Sequence, residues 1–199
     1  MKAFESRLRT ALDAAERVFA EKDYGDATMR DVAAAAGLSI AGLYYYLPSK
    51  QRALFLICER AFAALAAGLD RALAASHDPQ AQFRAFVRAH VGFIMGRPNA
   101  YRALLHADSL EGDERAIVFE SRRRYFARVA DLVIAVQQER RSSVSTHVAT
   151  AALFGMMNWA PMWHHRGDAV DPVRIADEMA TLFLHGVIAS TTLSAERIA

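Results

Sequence analysis

Between Thr28 and Lys50 the chain reads TMRDVAAAAGLSIAGLYYYLPSK, and this stretch limits the fold more tightly than any other. Thr28 is a good N-cap, and Asp31 three residues later can close a capping box over the first free N–H groups of a helix. Val32, Ala33 and Ala36 then give that helix one apolar face. Gly37 stands where a helix end favours a left-handed residue, and Ser39 is a ready N-cap for the next helix. Pro48 ends this second helix after about two turns, because it disfavours a helical Leu47 and has no N–H of its own. Two short helices about a glycine turn form a helix-turn-helix pattern.

At about 100° per residue, Leu43 and Leu47 share one face of the second helix. Ala41 and Tyr45 point the other way, flanked by Gly42 and Tyr44. Small side chains let a helix approach a surface closely, and tyrosine hydroxyls can reach phosphate oxygens, so this face suits a DNA major groove. An αα-hairpin with an exposed aromatic patch satisfies the same spacing.

The run TMRDVAAAAGLSIAGLYYYLPSKQRAL resembles, without a gap, the DNA-binding signature of the tetracycline repressor (TetR) family, T-x-x-x-I-A-x-x-A-G-V-S-x-G-T-L-Y-x-Y-F-x-S-K-E-x-L. The likeness covers Phe4 to about Ala61. It implies phosphate contacts for Thr28, Tyr44 and Lys50, and a place for Arg30 near a base edge or the backbone. It sets Ile40, Ala41, Gly42 and Tyr45 at the groove floor, on a helix that begins at Ser39. Two positions depart from the pattern. Gly42 replaces a common threonine and so lacks its hydroxyl, and Ile40 replaces a commonly polar residue and can offer a base only apolar contact.

Composition supports a helical protein. Of 199 residues 53% are hydrophobic, while glycine and proline number only 10 and 5. Net charge is +2, and residues 1 to 50 hold seven Lys/Arg against seven Asp/Glu, so bulk charge does not argue for nucleic acid. DNA affinity must come from locally placed groups, and it should still fall with salt. Cys58, in the apolar run LFLICERAF, reads as a buried thiol, with a redox sensor as the less supported alternative. The N-terminus has charges spread through it and no apolar signal core, which places the protein in the cytoplasm by default.

Phe4, Leu8, Ala11, Leu12, Ala15, Val18 and Phe19 mark a first amphipathic helix that ends near Asp23. After Lys50 a long helix runs to about Ser76, linking a head to a body. Breaks at Asp78-Pro79, Gly96-Arg97-Pro98 and Glu111-Gly112-Asp113 then delimit three more helices. In the last of these Arg122, Arg123, Arg124 and Arg128 lie opposite an apolar stripe, as a solvated face or as a contact for an anionic group. Ser142 to Trp163 contains no Lys, Arg, Asp or Glu. Its His147, Asn158, Pro161 and Ser/Thr content argues against a membrane span and for a helix buried on several sides. With a final helix from about Pro172 to Leu193, it can form a four-helix bundle with a second copy. Phe154, Gly155, Met179, Phe183, Gly186 and Val187 are the expected dimer interface.

No catalytic constellation is legible. His164 and His165 diverge by about 100° on a helix, His90, His106, His147 and His185 are isolated, and no nucleophile elbow, Walker loop or dinucleotide fingerprint is present. The chain therefore reads as a non-enzyme that needs neither metal nor cofactor. Met156, Trp159, Met162 and Trp163 are ordinary core residues one by one, but as a set, with Phe126 and Leu104, they suit a pocket for an apolar ligand. The segment from Leu153 to Val187 resembles the C-terminal helices of TetR-type regulators of lipid catabolism, which implies an acyl-coenzyme A thioester as effector.

These expectations together describe an all-α chain. Residues 1–50 form a helix-turn-helix DNA-binding head, and residues 51–199 a helical ligand-binding and dimerisation body. Its expected function is that of a dimeric, ligand-responsive repressor on a pseudo-palindromic operator. A helical protein-binding adaptor, or an enzyme acting on a thioester, would be the alternative.

Overall fold

A computed structural model describes residues 2–140, 144–164 and 171–188. All regular structure among them is helical. The order is α1 (Lys2–Lys22), α2 (Met29–Ala36), α3 (Ile40–Tyr46), α4 (Lys50–Ala74), α5 (Pro79–Gly96), α6 (Pro98–Leu105), a 3-10 turn (Ala107–Ser109), α7 (Gly112–Arg140), α8 (Thr146–Trp163) and α9 (Pro172–Ile188). The part of the final helix expected beyond Ile188 lies outside the described residues.

The local signals produce the expected ends. The Thr28 side chain accepts from the Asp31 N–H at 3.2 Å, and the Asp31 carboxylate accepts from the Thr28 N–H at 3.0 Å. Gly37 adopts φ 66°, and the N–H of Leu38 reaches back to the Ala33 carbonyl at 2.9 Å. An L side chain at that φ would be strained, so glycine is the residue that closes the helix cheaply. Ser39 accepts from the Gly42 N–H at 3.1 Å and starts α3. Pro161 lies inside α8, where it removes the bond to the Met157 carbonyl, and the helix ends two residues later at Trp163.

The chain divides into two compact units. The first comprises residues 1–64 and 97–123, the second residues 65–96 and 124–199. The boundary expected at residue 50 therefore falls inside the first unit, because α6 and the start of α7 return to pack with it. Helices α4 and α7 each run from one unit into the other.

In the first unit, Ala15 and Phe19 of α1, Val32 of α2, Leu43 of α3 and Leu54 and Ile57 of α4 share one buried core. Full burial of a Leu, Ile or Phe side chain stabilises by about 1.5–3 kcal/mol, so these few contacts set the position of α3. Cys58 is fully buried there, and burial pushes its thiol up to about 12. That makes it a poor nucleophile and a structural residue. In the second unit, Phe83 of α5 stacks on Phe183 of α9 at 4.9 Å. Arg88 pairs with Asp177, and Arg84 donates to the Thr181 hydroxyl at 2.9 Å, tying the same two helices. Among the described residues no helix is long and apolar enough to cross a membrane.

Candidate functional site

Helix α3 is held from beneath by Leu43 and, at its end, Leu47, both fully buried. Its other side is open: Ala41 and Ser39 are exposed, and Ile40, Tyr44 and Tyr45 are 40%, 47% and 72% exposed. Ile40 thus lies on the outer side. A Cβ on Gly42 would meet the Ser39 hydroxyl at 3.1 Å, and the lack of a side chain there leaves the α3 backbone uncovered. Arg30 is exposed on α2 and forms no ion pair among the described residues, so its charge is available to an incoming anion.

Two of the expected phosphate contacts are engaged inside the protein. The Lys50 ammonium donates to the carbonyls of Tyr24 at 2.7 Å, Gly25 at 3.1 Å and Ala27 at 3.0 Å, and lies 4.6 Å from the centre of the Tyr24 ring. An ammonium has three hydrogens. All are used to close the α1–α2 loop, so the phosphate role expected for Lys50 gives way to a structural one. The Thr28 hydroxyl likewise donates to Asp31 at 2.7 Å while capping α2, on an exposed residue. The same Asp31 takes a hydrogen bond from Lys22 at 2.6 Å. Those bonds from Lys22 and Thr28 hold its carboxyl at about 2.

In the second unit the two expected residue sets are interleaved. Trp159, Met162 and Trp163, expected to line a ligand pocket, are 63%, 58% and 50% exposed. Together with Gly155, Met156, Met179 and Leu182 most of them border an open apolar groove of about 490 Å³ between α8 and α9. Phe183 and Phe154, expected at a dimer interface, turn inward. Phe183 is buried against Phe83, and Phe154 stacks on Phe126 at 5.3 Å. The reason is that α8 is apolar on both faces, so hydrophobicity alone cannot tell its inner side from its outer side. Gly155 borders the groove and Gly186 is exposed, with nothing within 4 Å of where a Cβ would stand on either. The Val187 side chain lies outside the described residues. Leu104, expected beside the ligand, packs on the core of the first unit.

Sequence reasoning missed a polar chain across three helices. Tyr125 of α7 hydrogen-bonds His90 Nδ1 of α5 at 2.8 Å, and His90 Nε2 meets Asn158 Oδ1 of α8 at 3.0 Å. Since Asn158 Oδ1 only accepts, Nε2 carries the proton and the tyrosine hydroxyl donates to Nδ1. Burial pulls the imidazole down to about 4, with the Asn158 bond opposing it. In sequence His90 is merely an isolated histidine on an inward face, and only packing brings its partners together. The arginine run is largely paired: Arg128 donates to Asp70 at 2.6 Å, Arg123 pairs with Glu120, and Arg122 lies 5.9 Å from the Phe119 ring. No three His, Cys, Asp or Glu groups come together as a metal site among the described residues.

Residues 76–187 match the family described as "Tetracyclin repressor-like, C-terminal domain", and residues 11–56 match "Bacterial regulatory proteins, tetR family". The chain belongs to the tetracycline repressor family. It is a family of transcriptional regulators, not of enzymes. Solved TetR-family structures share the fold over nearly their whole length. PfmR from Thermus thermophilus is 27% identical with a TM-score of 0.80, covering 88% of this chain and 97% of its own. AibR, solved with isovaleryl coenzyme A and operator DNA, is 25% identical with the same TM-score and the same two coverages. A curated relative, the HTH-type transcriptional activator FasR of Mycolicibacterium smegmatis, is 31% identical over 104 residues. That match spans 52% of this chain and about half of the relative, 48% of its length.

Proposed function

We propose that this TetR-family chain is a DNA-binding transcriptional repressor of the cytoplasm that works as a homodimer and is released from its operator by an apolar effector. Helix α3 carries the reading: it is capped at Ser39, fixed by Leu43 and Leu47, and presents Ile40, Ala41, Tyr44 and Tyr45 outward. Each copy would lay α3 in a major groove, and the dimer would set the half-site spacing. The groove at Trp159, Trp163 and Leu182 supports a second copy as its occupant, because contiguous exposed apolar surface of this kind marks an interaction site. The fourfold set of helices α8 and α9 from two copies would bury it.

An acyl-coenzyme A thioester is the effector this reading favours, supported by the AibR complex. The effector must bind the DNA-incompetent conformer more tightly, or it shifts nothing. The unbroken α4 joins the unit that carries α3 to the unit that would hold the effector, and is the expected lever.

The test is a gel shift of the purified chain on the DNA upstream of its own gene, with a long-chain acyl-CoA, with isovaleryl-CoA, and with free CoA as control. Release by a thioester and not by CoA is expected. Binding that ignores every thioester would discard the effector, and no binding would discard this DNA as target. The FasR match supports a second reading, an activator, which predicts that deletion lowers the target transcript instead of raising it.

A further inference from the structure

We infer that Phe4, outside the helix-turn-helix, is a positioning residue for sequence recognition: its ring holds that of Tyr45 on the outer face of α3. This rests on the DNA-binding reading above. Phe4 lies in the first turns of α1, one helical step before Leu8, which packs on the core of the first unit together with Tyr46. The apolar stripe of α1 therefore extends past that core and overhangs the end of α3. There the Phe4 ring meets Tyr45 edge-on at 5.7 Å and Tyr46 at 5.1 Å, and the two tyrosines meet each other edge-on at 5.1 Å.

A partly exposed phenylalanine needs no explanation by itself. What sets this one apart is its partner. Tyr45 is 72% exposed and lies opposite the buried Leu43, and a side chain so placed would otherwise sample several rotamers. The three-ring contact restricts it before any DNA arrives, with Tyr46 anchored to the core as the base of the cluster. Ordering a free side chain on binding weakens association, so a ring held in advance binds more tightly and with one orientation. Tyr44 serves as an internal comparison. It is also exposed on α3, and it makes no ring contact among the described residues.

The experiment uses a duplex selected by the full-length protein from a randomised pool, and a scrambled duplex of equal length, with affinities measured by fluorescence anisotropy. Phe4→Ala should weaken binding to the selected duplex by about three- to tenfold, the size of one aromatic pair, and leave the scrambled duplex unchanged. In a Tyr45→Ala background the same substitution should cost nothing further, whereas in a Tyr44→Ala background it should keep its full effect. Phe4→Leu, which preserves the helix and its apolar stripe, should recover part of the loss, and thermal melts report whether each variant is folded. An undiminished Phe4→Ala loss in the Tyr45→Ala background, or an equal loss on both duplexes, would overturn the positioning role. If the unsubstituted chain selects no duplex at all, the DNA-binding reading falls first and this inference with it.

Discussion

Lys50 and Arg30 are both cations of the first unit, and their surroundings assign them opposite work. Lys50 spends its three hydrogens on the carbonyls of Tyr24, Gly25 and Ala27, so Lys50→Ala leaves three acceptors of the α1–α2 loop without their donor. Loss of such charge-assisted bonds should lower stability by about 1–3 kcal/mol, read as a lower urea midpoint, with the salt slope of DNA binding unchanged. Arg30→Ala should do the reverse: an unchanged midpoint, and a salt slope shallower by about one counterion. A shallower salt slope in Lys50→Ala would return that residue to the phosphates. The fit between TetR-type pattern and residue identity was correct here, but the pattern could not say where the ammonium points.

At the scale of elements, α5, α7 and α8 are joined by the chain from Tyr125 through His90 to Asn158. His90 stays neutral because burial lowers it from 6.5 to about 4. Its stabilising contribution is complete above the unfolded value of 6.5, and it is lost as pH falls from there toward about 4, because the unfolded chain then binds a proton the folded chain refuses. Denaturation midpoints should therefore drop between pH 7 and pH 5, and His90→Gln should drop less over the same interval. Equal drops would show that other groups carry the acid sensitivity. The network also explains why a helix with polar Asn158 amid apolar residues faces inward at that position: its carbonyl has a donor waiting.

For the whole molecule, the proposed homodimer rests on the outer face of α8 and α9. A second copy covering Trp159, Trp163 and Leu182 predicts a mass near twice 22.0 kDa by light scattering. Trp159→Glu with Leu182→Glu should shift the protein toward 22.0 kDa, since a charge cannot be buried in that groove without a partner. The same pair should weaken operator binding by removing the second α3, not by touching the first. A dimer that survives both substitutions would place the interface elsewhere.

The chain by itself determined its elements and its family. Caps at Thr28 and Ser39, the left-handed turn at Gly37 and the stop at Pro48 are local events, each set by a few neighbouring residues. The helical period of Leu43 and Leu47 likewise pointed Tyr45 outward before any fold was known. What tertiary structure decided is everything that depends on a distant partner. Lys50 finds its acceptors 23 to 26 residues away, and His90 finds Tyr125 and Asn158 at separations of 35 and 68. Between Ser142 and Trp163 there is no charge to mark an outside, so periodicity could not choose which side of α8 the core would take. Packing against α5 and α7 chose it, sending Phe154 in toward His90, Tyr125 and Phe126 and leaving Trp159 out.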